Sequence, residues 1–203
     1  MRFLLTIGGA GAQRELVAAV IRHLLPAIRE KRAALYVNVG DYKNVWRKLT
    51  RSVEGLAELS TLHFGSWEET NAFAAAAIDG SVEGVHAFWH ENIFEAVYCT
   101  NLLMRSCDVL LTKPSELAFY PVPKIFLKRI GGHERWGAIH SAEMGDGTYE
   151  VAPGQETVDM IRLLQTEPEI LLNMNRSILK NNEAGLYNGA YEVVKLAAAR
   201  SVD

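Results

Sequence analysis

The first thirteen residues constrain the fold more than any other stretch of the chain. Arg2-Phe3-Leu4-Leu5-Thr6-Ile7 is a short, largely apolar run that stops at Gly8-Gly9. Gly8-Gly9-Ala10-Gly11-Ala12-Gln13 then leads straight into an amphipathic segment. Such a run reads as a strand covered on both faces, as in a parallel sheet. Beyond the glycines, apolar residues from Leu16 through Val17, Val20, Ile21, Leu24 and Leu25 to Ile28 recur at helical spacing. Strand, glycine turn and helix in that order bring free backbone N–H groups and a helix N-terminus to one point, which suits a phosphate. A tight connection that binds nothing is the alternative. The turn is not the dinucleotide fingerprint, whose third glycine would fall on Arg14, and no Lys-Ser or Lys-Thr pair closes it as a P-loop.

The same rhythm runs through the rest of the chain. Pro26 predicts a kink or stop near Leu25. Residues 33–39 read as a second strand closed by Gly40-Asp41, and 43–51 as a helix. Residues 54–81 are harder to decipher and are treated as a possible insertion. Within them, Ser66-Trp67-Glu68-Glu69 has the cap and acidic first turn of a helix reaching Ile78. A strand over 85–89 and a helix over 93–105 follow. Strands over 108–112 and 122–127 come next, with room between them for only one or two helical turns. Helices are predicted over 133–143, 157–166, 168–181 and 189–200. Strands separated by helices predict an α/β, Rossmann-like parallel sheet with helices on both faces, in a single domain over 1–203.

Composition narrows the function classes. A chain of 203 residues, 49% apolar and 22% charged, suits one globular domain with a full core. Its formal charge of −3 argues against broad nucleic-acid binding, which needs a basic face. Cys99 and Cys107 read as buried free thiols, not as a disulfide or a metal site. No apolar run approaches the ~20 residues of a membrane-spanning helix, and the N-terminus lacks a signal-peptide pattern. A cytoplasmic location is expected.

Two later loops carry the remaining chemistry. Thr112-Lys113-Pro114-Ser115-Glu116 closes a strong strand, at the sheet edge where open parallel sheets bind ligands. Lys113 suits a phosphate, Ser115 a cap and Glu116 a ribose diol. A capped turn with solvated charges is the alternative. The run Arg129-Ile130-Gly131-Gly132-His133-Glu134-Arg135-Trp136-Gly137-Ala138 again follows a strand, with Gly132, His133 and Glu134 placed to meet sugar hydroxyls. His90-Glu91-Asn92 reads first as a helix start capped by Asn92.

These loops, in this order, resemble the C-terminal, donor-binding half of GT-B glycosyltransferases of the MurG type. Gly8-Gly9-Ala10-Gly11-Ala12 is similar to that family's glycine loop facing the donor diphosphate, and Cys107-Asp108-Val109-Leu110-Leu111-Thr112 to the strand before its donor loop. Glu116 falls at the carboxylate that binds ribose hydroxyls, and His133-Glu134 at the polar pair near the donor sugar. Trp136-Gly137-Ala138 is similar to the aromatic-Asn-Ala that follows that pair, with Gly137 in place of the asparagine. The segment 113–121 is shorter than the family's.

The resemblance implies a bound nucleotide-diphosphate sugar, uridine-linked, as substrate, with no cofactor and no metal. The ligand-binding set is then Gly8, Gly9, Ala10, Gly11, Ala12, Gln13, Lys113, Ser115, Glu116, Gly132, His133 and Glu134. It also implies an N-terminal domain or a separate chain that binds the acceptor, supplies the base and makes any peripheral membrane contact. No catalytic residue is assigned within this chain. A sugar-nucleotide epimerase-like enzyme and a non-catalytic binding or regulatory domain are the competing readings.

Overall fold

The computed structural model describes residues 1–7 and 13–199. Gly8, Gly9, Ala10, Gly11 and Ala12, and with them most of the glycine turn, lie outside the described residues. The chain begins with β1 (Arg2–Thr6), α1 (Arg14–Arg29), β2 (Ala34–Asn38), α2 (Lys43–Ser52), β3 (Ser60–Phe64) and α3 (Trp67–Asp79). It continues with β4 (Gly84–Trp89), α4 (Ile93–Met104), β5 (Val109–Thr112), a 3-10 turn over Glu116–Phe119 and β6 (Lys124–Phe126). A second 3-10 turn over Gly132–Glu134 leads into α5 (Arg135–Met144), β7 (Gly147–Glu150), α6 (Gln155–Thr166), α7 (Pro168–Glu183) and α8 (Gly189–Ala199).

The strands form one seven-stranded sheet in the order β3-β4-β2-β1-β5-β6-β7. Every neighbouring pair is parallel. Strand alternation sorts the core into two layers. Phe3, Leu5, Leu35, Val37 and Leu111 pack with the apolar stripes of α1, α2 and α6. On the other face, Leu4, Tyr36, Phe88 and Leu110 meet Cys99 and Leu103 of α4, with Trp67 and Phe73 of α3 against them. Phe126 packs on Ala138 of α5. The α/β Rossmann-like class expected from the sequence is the class observed.

Local departures from the expectation have physical causes. Helix α1 runs through Pro26 to Arg29 and does not stop at Leu25. Proline in a helix interior costs ~3 kcal/mol. Leu24, Leu25, Ala27 and Ile28 are all buried, and burying one large aliphatic side chain is worth ~1.5–3 kcal/mol, so continuing the helix wins. Residues 54–81 supply a strand–helix unit of the sheet: β3 and α3. Helix α3 starts as expected, with Ser66 Oγ accepting from the Glu69 N–H at 3.2 Å. The two strands not anticipated, β3 and β7, are the two edges of the sheet.

The edge opposite the strand C-termini is clamped by Arg2. Its guanidinium donates to the carbonyls of Ala77 at 2.6 Å, Ser106 at 3.2 Å and Gly80 at 2.5 Å, while its backbone N–H meets Asp108 Oδ2 at 2.6 Å. Where the outer strands β6 and β7 begin sits a dry ion pair. Lys124 of β6 is fully buried, and its Nζ lies 2.9 Å from Asp146 Oδ1. Nζ also donates to the carbonyls of Tyr120 at 2.7 Å and Val122 at 2.9 Å. Asp146 in turn accepts from Ser141 Oγ and, at 2.8 Å, from Tyr187 Oη. Burial pulls the Lys124 pKa down and the Asp146 charge works against that fall. Since every polar atom of the pair has a partner, the cost of burying the two charges is largely offset.

Removing one member of a buried pair strands the other charge. Asp146→Ala should therefore lower the unfolding free energy by about 3–5 kcal/mol in urea titration, and Lys124→Met/Asp146→Leu together should recover most of it. A second prediction concerns pH. His63 of β3 stacks on Phe88 at 4.6 Å, and its Nε2 meets His86 Nδ1 at 3.0 Å. Burial, and then the proximity of His86, hold the His63 pKa at about 4 against an ordinary 6.5. The unfolded chain thus takes up a proton that the native state refuses. This contribution to stability is complete above pH 6.5 and disappears as the pH falls to about 4. His63→Phe should flatten that stretch of the stability–pH curve.

Candidate functional site

The order of the strands selects the site. From β1 the chain moves to β2, β3 and β4 on one side, then crosses to β5, β6 and β7 on the other. The gap between β1 and β5 is therefore the topological switch point, and the crevice at its C-terminal edge is where open α/β sheets bind ligands. Three polar residues end three apolar strands there: Thr6, Asn38 and Thr112. Thr6 Oγ1 donates to Thr112 Oγ1 at 2.7 Å, directly across the switch point. Asn38 Nδ2 donates to the Ala96 carbonyl and to Thr100 Oγ1, both at 2.8 Å, and its Oδ1 accepts from the Gly40 N–H at 2.9 Å. One buried amide thus fixes β2, α4 and the loop after β2 relative to one another.

A cavity of about 290 Å³ opens above these residues, between α4 and the segment that follows β5. A second, of about 790 Å³, lies on the far side of the same segment, with Glu116, His133, Trp136 and His140 in its walls. Lys113 and Glu116 border both. Lys113 also borders a small recess with Gln13 and Ile130, so its ammonium stands where the spaces meet.

Of the residues expected at the site, the described ones (Gln13, Lys113, Ser115, Glu116, Gly132, His133 and Glu134) follow β1, β5 and β6 at this edge, in different roles. Ser115 Oγ accepts from the Leu117 N–H at 3.5 Å, so it caps the 3-10 turn, and Glu116 is exposed in the first turn. Gln13 stands at the start of α1 and spends its side-chain amide on the Lys128 carbonyl, tying the helix to the loop after β6. Glu134 is buried and turned inward. Its Oε2 accepts from the N–H groups of Ile130 at 2.7 Å and Gly131 at 3.0 Å, and its Oε1 pairs with Lys113. Burial pushes this carboxyl up, but the hydrogen bonds from Lys113, Ile130 and Gly131 outweigh it and hold the pKa below the usual carboxylate range. His133 is exposed and its ring folds over Gly131, where an added Cβ would come within 2.7 Å of it. At Gly132 an added Cβ would meet nothing within 4 Å.

Thr6, Asn38 and Thr112 were not singled out from sequence. The signal available was a polar residue closing an apolar strand, repeated at three strand ends. An apolar rim flanks the crevice: Ile93, Phe94, Val97 and Tyr98 of α4 are all at least half exposed, Phe94 at 81%. Among the described residues no cluster of His, Cys, Asp and Glu is arranged to hold a metal, and no helix is long and apolar enough to cross a membrane.

Comparison with known proteins bears on the fold and the family. No curated protein matches the sequence. Among solved structures, the Staphylococcus aureus MnaA–UDP co-structure aligns at a TM-score of 0.53 and 13% identity, covering 87% of this chain and 40% of that one. A putative UDP-N-acetylglucosamine 2-epimerase from Listeria monocytogenes aligns at 0.53 and 13%, covering 94% of this chain and 46% of the other. At that identity the likeness is one of fold, and this chain spans less than half the length of either relative. A family model described as "Domain of unknown function (DUF6938)" matches residues 1–198, and the chain belongs to that family.

Proposed function

We propose that the chain binds a nucleoside-diphosphate sugar, uridine-linked, at the β1/β5 switch point, as the donor half of a glycosyl-transferring enzyme. The observation that carries this reading is the convergence of Thr6, Thr112 and Lys113 on one crevice at the end of the strand that precedes the glycine turn. A lysine ammonium has three donors, and Glu134 engages one of them. The others remain for a phosphate oxygen, beside the backbone N–H groups that the turn from Gly8 to Ala12 would supply. Glu116, exposed on the border of both cavities, is suited to accept from a ribose diol. His133 lies in the wall of the larger cavity, which has room for the sugar.

Catalysis on this reading is positional and electrostatic. Fixed donors at the crevice would stabilise the negative charge that grows on the departing diphosphate. A second domain or chain completes the enzyme by binding the acceptor and supplying the base. The apolar rim on α4 is where that half would dock, since exposed apolar patches of this kind mark interaction surfaces. The epimerase reading gains support from the two structural relatives, one solved with UDP and the other described as a putative UDP-N-acetylglucosamine 2-epimerase.

Calorimetric titration with UDP should show saturable binding. Lys113→Ala should weaken it by about tenfold or more, the worth of one charge-assisted hydrogen bond, and Gly11→Glu should abolish it. Glu116→Ala should weaken UDP but leave inorganic pyrophosphate unchanged, because only UDP carries the ribose. No binding of UDP by the folded chain would sink the proposal. Conversion of UDP-N-acetylglucosamine to its C2 epimer by the chain alone would select the epimerase reading over the transferase half.

A further inference from the structure

We propose a second ligand site beyond the ends of the last two strands, one that takes the phosphomonoester group of a small ring-bearing molecule. A cavity of about 570 Å³ opens there, with Lys128, Arg129, Arg135, Tyr149 and Glu150 in its walls. It is separate from the switch-point crevice and shares only Ile139 with the larger neighbouring cavity.

Its charge balance points to the ligand. Glu150 is the one carboxylate among the described walls, and it is already spent. It pairs with the Arg129 guanidinium and accepts from the Arg129 backbone N–H at 3.1 Å. Lys128 and Arg135 have exposed side chains and no acidic partner among the described residues. The cavity thus holds two positive charges that no carboxylate among the described residues offsets, in a chain whose net charge is −3. A phosphomonoester, at about −1.5 to −2 near neutral pH, matches that excess; a monocarboxylate leaves one charge over.

The donor set fits the same group, because guanidinium forks bind phosphate oxygens in pairs and an ammonium adds a mobile point charge. Tyr149 stands 64% exposed beside the cations. Its ring face and the apolar side chain of Ile139 suit a ring on the ester, as an aromatic face gains by stacking. The site is wired to the crevice through one loop. The carbonyl of Lys128 is held by Gln13, and Ile130 and Gly131 are held by Glu134.

Phenyl phosphate titrated into the full chain, followed by backbone amide chemical shifts, tests the proposal. Saturable shifts are expected at Lys128, Arg129, Arg135 and Tyr149, with Thr6 and Thr112 unmoved and acetate producing no saturable response. Lys128→Gln/Arg135→Gln should weaken binding by tenfold or more without changing the amide spectrum elsewhere, since both side chains are exposed. Absence of saturable shifts at these residues, shifts confined to Thr6 and Thr112, equal binding of acetate, or full affinity in the double variant would each overturn it.

Discussion

Parallel pairing of β1 with β2 on one side and β5 on the other is the constraint from which the rest of the molecule follows. Parallel neighbours cannot be joined by tight turns, so each connection must carry the chain back along a face of the sheet, usually as a helix. Helices then cover both faces, and every strand ends on the same edge. Thr6, Asn38 and Thr112, remote in sequence, become neighbours because their strands share that edge. The opposite edge is locked by Arg2 and its carbonyl partners. The Arg2 clamp and the candidate crevice thereby lie at opposite ends of the strands.

Two lysine–carboxylate pairs show how burial assigns different jobs to one chemistry. Lys124 and Asp146 are dry, and their remaining hydrogen-bonding capacity goes to Tyr120, Val122, Ser141 and Tyr187. Nothing is left over for a ligand, and the pair pins the segment after α7 to the last strands. Lys113 and Glu134 form a pair at the junction of three spaces, with the lysine partly exposed. Its carboxylate holds the loop after β6 in shape, while its ammonium keeps donors free. A pair of the first kind stabilises a fold; one of the second kind leaves chemistry available.

The loop between β6 and α5 separates the switch-point crevice from the cationic cavity. Gln13 holds the Lys128 carbonyl at its start, and Glu134 holds the Ile130 and Gly131 N–H groups that follow. The exposed apolar rim on α4 contributes Ile93 and Val97 to the wall of the crevice.

Sequence alone determined the class of fold, because strands covered on both faces must be apolar throughout and helices covered on one face must show a stripe. It also singled out the loops after β5 and β6, which border one cavity of the candidate site. The two edge strands escaped it: Ser60–Phe64 and Gly147–Glu150 are partly exposed and have no apolar run to betray them. Pro26 was read as a kink or stop near Leu25, and the helix does not stop there; a local rule takes no account of the burial of Ala27 and Ile28 beyond it. Tertiary structure alone decided which polar groups face a ligand and which face the protein. Glu134 turns to its own loop because the 3-10 turn aims the Ile130 and Gly131 N–H groups at it, and Lys124 finds Asp146 only when β6 lies beside β7. Periodicity records whether a residue is covered; only the packing of distant segments determines which partner covers it.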